Sequence, residues 1–520
     1  MADRTSEKEG QMKVRVEKKL RRNDEPLDHG EHVTYPALIE SLPNEILAEI
    51  FEAGVLISEG QRGTLPIQCT ISGVNRRWRR VAVSTPRLWS AILFHCDTWG
   101  VGSNLNHLHL WIDRSAPCAL DITIVVQPQL MIEPIVTLAM DQMILHVDRW
   151  RRLTIKDISR HVVDRVLESL YTVSAPRLQY FDLSVLEDDG HFAPHHNIFT
   201  GGAATLTSAR IVGLCRVCTP PLVGLAALHF GGACRASGSI RLTHDEFRDL
   251  LTASPSLTDL ALEALEVSTS PGASASDVHI PSLRTLSLNF AYCEDSFFQI
   301  FTLLSTPILE TLSLAHMTTS HMTIFTLLSV TGAPQYAALH TLKLFRCNNF
   351  REHTDEPLDN FFSTFSSVVH LYLISTTNDI LEPSFHQTET IPWPNLKSVT
   401  ILPEVLPDVI LTRMASGHPI TTAYVPHEGL SSDEILWARI REDVEVLEVD
   451  NVSDSVQYPG GLDHCVMEAP EDHHSDSDYD YDYDCGRYKR HTFFEQTYGV
   501  DYNGSDDSEL LEYWAVCGSD

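Results

Sequence analysis

Positive charge is scarce in this chain. Its 520 residues include 38 Lys and Arg against 70 Asp and Glu, a formal net charge of −32. Wholesale nucleic-acid binding is disfavoured, because a phosphate backbone is met by a basic stripe. Long apolar runs are missing too, and nothing approaches the roughly 20 consecutive apolar residues that a membrane helix needs. The first twenty residues are charged and lack the apolar segment of a secretory signal. Eleven cysteines are scattered irregularly and read as reduced, buried thiols, not as a disulfide framework. With no export signal, the sequons at Asn451 and Asn503 carry no weight, and cytosol or nucleus is the expected compartment.

Catalytic signatures are also lacking. There is no phosphate-binding loop, nucleophile elbow or dinucleotide fingerprint, and the glycine-containing run Gly231–Ile240 lacks the Lys-Ser/Thr pair that would grip a phosphate. Cys215 and Cys218 form a C-x-x-C pair, but no second pair follows at finger-like spacing, so buried thiols are expected and no metal. The histidines of 191–199 and of 472–478 read as a solvated loop and an acidic tail. No cofactor is expected and no catalytic set is found.

What is present divides the chain into four stretches. Residues 1–33 have the polar, mixed-charge composition of a disordered leader. Their basic run Lys13–Arg22 reads as a solvated tail or, alternatively, as a nuclear localisation signal. Residues 37–95 hold a compact helical pattern, residues 100–452 a repeat, and residues 456–520 an acidic, tyrosine-rich tract without apolar period, expected to be disordered. From Ser431 onward 24 acids face 5 Lys or Arg, so the C-terminal end holds over half of the charge deficit.

The repeat is a strand word, apolar-x-x-apolar-x-apolar. It is clearest at Leu257/Leu260/Leu262, Leu283/Leu286/Leu288, Leu309/Leu312/Leu314 and Leu339/Leu342/Leu344. It recurs at Val368/Leu371/Leu373 and Leu396/Val399/Ile401, and upstream at Trp150/Leu153/Ile155, Leu178/Phe181/Leu183, Leu206/Ala209/Ile211 and Leu225/Leu228/Phe230. Steps between first positions run mostly from 26 to 32, with one of 19. Segments between words, such as 297–306 and 321–330, have helix-like apolar spacing. Proline turns ("SAPRL", "ASPSL", "STPIL") precede many words and set the chain for the next strand. Strand then helix, repeated, buries a continuous core only by stacking, which predicts an α/β fold: an irregular leucine-rich-repeat solenoid with a parallel sheet on its inner face. An ordinary α/β domain with leucine-rich strands is the alternative. Of the residues that would ladder the turns, only Cys347 is in register.

In the headpiece, Pro43 suits a first helical position and Glu45 complements the helix dipole. Ile46, Leu47, Ile50, Phe51 and Val55 form an apolar stripe. Val74, Trp78 and Val81 would line a second helix, ended by Pro86. The ordered set Leu-Pro-x-Glu-Ile-Leu-x-x-Ile-Phe (Leu42–Phe51), Val-Asn-Arg-Arg-Trp (Val74–Trp78) and Thr-Pro-x-Leu-Trp (Thr85–Trp89) resembles the F-box, a small helical module of ubiquitin-ligase adaptors. The resemblance covers Ile39 to Phe94, departs in a longer middle segment, and together with the repeats is similar to a large fungal F-box arrangement. It implies that Leu42, Pro43, Ile46, Leu47, Ile50, Phe51, Val74, Trp78, Leu88 and Trp89 build the headpiece and dock a Skp-type adaptor, and through it cullin and RING subunits. It further implies a non-enzymatic, substrate-recognition subunit of an SCF-type ligase. A leucine-rich-repeat scaffold uncoupled from ubiquitination is the alternative.

Because side chains alternate across a strand, the residues between the apolar positions face the open side of the sheet. Lys343, Phe345, Arg346, His370 and Tyr372 are the candidate target-binding residues, since a cation, aromatics and histidine side by side resemble interface composition. Thr285, Ser287, Asn289, Thr311, Ser313 and Ala315 would form a small, polar groove floor. No nucleic acid or membrane is expected as a partner.

Overall fold

A computed structural model describes residues 38–58, 67–96, 101–126, 133–187, 196–214, 218–232, 240–268, 278–290, 300–318 except 302, 321–326 except 323, 336–347, 355–374, 392–400, 406–426 and 434–449. The expected leader and acidic tail lie outside these residues.

The headpiece is helical. A 3-10 turn (Leu38–Ser41) leads into helix α1 (Asn44–Ser58), followed by α2 (Ile67–Val74), α3 (Arg76–Val83) and a second 3-10 turn (Pro86–Trp89). The carbonyl of Pro43 accepts the first helical bond, from the Leu47 N–H at 3.1 Å. Val74, Trp78 and Val81 do not share one helix, as their spacing suggests. Val74 ends α2, and Asn75 is extended and accepts a hydrogen bond from the Trp78 N–H at 2.8 Å. An asparagine side chain that satisfies an orphan donor starts a new helix more readily than it continues an old one. Pro86 likewise opens the 3-10 turn, three residues beyond the end of α3.

Downstream lies one sheet of fourteen parallel strands in which neighbours follow chain order without exception. They are β1 (Ala91–Cys96), β2 (Leu120–Val126), β3 (Trp150–Ser159), β4 (Tyr180–Glu187), β5 (Ser208–Val212), β6 (Ala227–Gly231) and β7 (Asp259–Glu263), then β8 (Thr285–Asn289), β9 (Thr311–Ala315), β10 (Thr341–Phe345), β11 (His370–Ile374), β12 (Ser398–Thr400), β13 (Thr422–Pro426) and β14 (Glu445–Val449). Helices α4 (Val101–Arg114), α5 (Glu133–Ile144), α6 (Arg160–Tyr171), α7 (His244–Thr252), α8 (Asp355–Thr364), α9 (Leu406–Ala415) and α10 (Glu434–Ile440) fill connections between strands. Parallel neighbours need such crossovers, since a hairpin reverses direction.

Ten of these strands carry the words read from the sequence. Of the other four, β1 and β13 escape a leucine search because Trp89/Ile92/Phe94 and Ile420/Ala423/Val425 take the same buried positions with other side chains, β2 because Ile122 and Ile124 fill them, and β14 because its Val446 is only half-buried. Within 297–306, Leu304–Ser305 forms a short strand paired with Val278–His279 where helical spacing was read.

Each unit is closed by the same turn. The N–H of the word's first residue bonds the carbonyl three residues back, as in Leu178 to Ala175, Leu257 to Ser254, Leu309 to Thr306 and Leu339 to Tyr336. Hydroxyls then tie successive turns together: Thr205 to the Leu178 carbonyl (2.9 Å), Ser282 to that of Leu257 (2.8 Å) and Ser367 to that of Leu339 (2.6 Å). Each hydroxyl immediately precedes its word, so the laddering that asparagine or cysteine would supply is carried largely by Ser and Thr. Cys347 contributes its own contact, with its thiol 3.4 Å from the Phe345 carbonyl. Behind the sheet a single buried cluster runs from Leu47 in the headpiece to Val444 beside β14. Stacking is what makes it continuous, since one strand and one crossover cannot cover their own leucines.

Candidate functional site

Helix α1 presents two apolar faces. Leu47 and Phe51 point inward and are 0 % and 2 % exposed, whereas Ile46 and Ile50, one position earlier on the helix, are 40 % and 45 % exposed. A helix turns about 100° per residue, so the four make one apolar arc of which the core covers only the Leu47 and Phe51 side. Residues four apart sit one above the other, which aligns Ile46 with Ile50. Val74, closing α2, is 54 % exposed. Pro43 is exposed and Leu42 half-buried.

The other expected docking residues build the interior. Phe51 meets Trp78 at 5.0 Å between ring centroids. Leu88 and Trp89 are buried, the indole N–H donating to the Ala82 carbonyl at 2.9 Å. Arg77 donates to the Asn44 side chain at 3.0 Å and to the Leu42 carbonyl, and Arg79 to the Ser72 carbonyl. These guanidiniums therefore fasten helix ends together. Buried Gln68 completes the set by donating to the Leu88 carbonyl at 2.9 Å.

Trp89 also joins the headpiece to the sheet. It packs edge-on against Trp111 of α4 at 5.6 Å, and the Arg114 guanidinium lies 4.5 Å over its ring. The next residue, Ser90, accepts the Asp121 N–H at the start of β2, and β1 follows at once. The first strand of the array thus lies within the headpiece stretch 37–95, and no linker separates the two.

On the open face of the sheet the register runs straight. Thr341, Lys343 and Phe345 stand opposite His370, Tyr372 and Ile374. Lys343, Arg346, His370 and Tyr372 are half-buried, and the Lys343 ammonium lies 5.3 Å over the Tyr372 ring. Burial lowers the pKa of Lys343 and raises that of Tyr372. Phe345, expected as a contact residue, is instead buried with Ala315 and Ile374 in a small cluster that seals one edge of this face. The row containing Lys343 and Tyr372 continues upstream through Ser313, Ser287, Ala261, His229, Arg210 and Asp182. Asp182 and Arg210 form an ion pair at 3.0 Å, joined by the Tyr180 hydroxyl, with Arg152 stacked on the Tyr180 ring.

Sequence reasoning missed His229, Glu263, Asp182 and Arg210. The signal was available, since His229, Asp182 and Arg210 lie between the apolar positions of recognised strand words and Glu263 directly follows one.

Two histidines of this face are held below the ordinary range. For His316 the cause is burial, then Arg346, against the opposing pull of Glu263. For His370 it is burial, then His340 and Lys397. Folding therefore disfavours their protonation, so their stabilising contribution is complete above the unfolded value of about 6.5. It is lost as pH falls through the lowered folded values. The thermal midpoint should drop between pH 7 and pH 5, and drop less in a His316→Gln, His370→Gln variant. Melting curves across that range measure it.

Residues 39–95 match the F-box-like family. No curated protein matches the chain. Among the described residues no helix is long and apolar enough to cross a membrane. The helical headpiece is thus an F-box-like domain, followed by a mixed α/β region with a large parallel sheet.

Proposed function

We propose that this chain is the substrate-recognition subunit of an SCF-type ubiquitin ligase. In this reading the headpiece docks a Skp-type adaptor that links to cullin and RING subunits, and the array, a leucine-rich-repeat-like solenoid, holds a protein target on its open sheet face. The observation that carries the reading is the apolar pair Ile46 and Ile50, left exposed on the outer face of α1 in a segment that matches the F-box-like family. A headpiece this small cannot enclose every large apolar residue it carries, and an exposed apolar stripe on a helix suits a partner's groove. The chain itself performs no chemistry. It fixes the distance between target and ligase, and Trp89, packed between headpiece and α4, keeps that distance rigid. The expected site of action is the cytosol or nucleus.

Purification of the chain from cells should recover a Skp-type adaptor, a cullin and a protein whose lifetime lengthens when the chain is removed. The Lys343→Glu, Tyr372→Ala variant should keep adaptor and cullin and lose that protein. Recovery of adaptor and cullin with no change in any co-purified protein's lifetime would indicate a scaffold instead.

A further inference from the structure

At the middle of the open sheet face lies a shallow depression that opens to solvent. Its floor is small because Ala261, Ser287 and Ser313 occupy consecutive strands at one register position. His229 and Glu263 form one side and Phe345 the other. Three polar atoms in it are buried without a hydrogen-bond partner: Nδ1 of His229 and the hydroxyls of Ser287 and Ser313. Their residues are 7 %, 7 % and 3 % exposed. Beside them sits the buried Glu263 carboxylate, which accepts from the Asn289 side-chain amide at 3.1 Å and faces Nε2 of His229 at 3.4 Å. Gly231 lies next to Glu263 in the register, and a Cβ there would come within 2.9 Å of the Glu263 Cβ.

The donor–acceptor balance defines the occupant. Nε2 of His229 faces the carboxylate, and in the tautomer that carries its hydrogen there Nδ1 is an acceptor. Each serine oxygen accepts as well. An apolar occupant would strand all three atoms, and an anion would meet the carboxylate. Along the same row Arg210 is engaged with Asp182 and Lys343 lies over Tyr372, while His316 feels both Glu263 and Arg346.

We propose that this depression is an anchor pocket for a cationic side chain of the protein target, an arginine or a lysine. It would donate to His229 Nδ1, Ser287 and Ser313 in the field of Glu263. Arginine fits better, because its planar fork offers five N–H donors and its face is weakly hydrated against an apolar wall such as Phe345. The proposal rests on the reading that the open face binds the target, and it adds the chemistry of the anchor.

The test uses the full chain bound to its adaptor and immobilised short peptides of Gly, Ser and Ala. Their central residue is Arg, Lys, citrulline, Glu or Leu. Arg and Lys peptides should be retained about tenfold better than citrulline, Glu or Leu peptides, the difference expected of one charge-assisted hydrogen bond. Glu263→Gln, nearly the same shape, should remove that preference. Ser287→Ala with Ser313→Ala should weaken retention while leaving the melting temperature unchanged or higher, because the free chain loses two unpartnered hydroxyls. A purely structural role would show the reverse. Equal retention of citrulline peptides, no retention, or a preference that survives Glu263→Gln (as attraction to the acidic tail would give) overturns the proposal. If Lys343→Glu with Tyr372→Ala prolongs a target's lifetime while the pocket variants do not, the open face binds target elsewhere and the pocket proposal alone falls. If neither set does, the target-binding reading falls with it.

Discussion

Leu47→Asp is expected to unfold the headpiece, and with it any docking function, while Ile50→Asp leaves the fold in place. The two residues lie three positions apart on α1 and look equivalent in the sequence, but Leu47 is fully buried and Ile50 is nearly half exposed. Removing the leucine forfeits about 1.5–3 kcal/mol of apolar burial. The carboxylate adds a further penalty of several kcal/mol, or ionises only by drawing water into the core. The total rivals the roughly 5–15 kcal/mol that holds a typical domain together. Limited proteolysis should cut Leu47→Asp within residues 44–89 under conditions that spare both the wild type and Ile50→Asp. Because Leu47 belongs to the same buried cluster as the sheet, the first strands should also become labile in hydrogen exchange. Equal resistance of all three proteins would show that α1 is dispensable to the headpiece core.

Gly213→Ala is the second large effect, and its cause is a collision. Gly213 directly follows β5 with φ +82, and a Cβ there would sit 1.9 Å from the carbonyl oxygen of Val185. The residues that follow β7, β9 and β10 also have positive φ, yet they are Ala264, His316 and Arg346. In each unit the N–H of this residue bonds the carbonyl of the neighbouring strand's last residue, such as Gly213 to Gly231 and His316 to Phe345. The left-handed turn is therefore a recurring device that other side chains survive. Gly213 differs because the β4 backbone crosses close behind it. Gly213→Ala should cost on the order of 3 kcal/mol or more, a size reserved for steric conflicts in a packed interior. Ala264→Gly, at the equivalent place, should change stability by under about 1 kcal/mol. Hydrogen exchange of the β4 and β5 amides measures the first, and that of the β7 and β8 amides the second. A benign Gly213→Ala would mean that β4 yields at no cost.

The leucine words were legible because burial is complete on one side of the central strands, and leucine fills that side there. At the ends of the array the same positions hold Trp89, Ile92 and Phe94, or Ile420, Ala423 and Val425, and a pattern defined by leucine dissolves. The headpiece motif was legible as a motif, but its apolar residues could not be divided into core and surface. Ile46 and Leu47 are chemically alike, and only the packing of α1 against α2 and α3 decides which one meets water. The break at Asn75 was missed for a local reason: a 3.6-residue period reads through a single capping residue. The depression at Glu263 was hidden differently. His229 and Glu263 are 34 positions apart, and only the pairing of β6 with β7 brings them together.

The most direct test of the account measures the affinity of the purified chain for a Skp-type adaptor, comparing the wild type with Ile46→Asp, Ile50→Asp. Two apolar side chains worth about 1.5–3 kcal/mol each predict a loss of about a hundredfold or more. Melting curve and far-ultraviolet spectrum should stay unchanged, because both residues are already exposed to solvent. Equal affinity in the two proteins, with both folded, would contradict the assignment of this face to the adaptor.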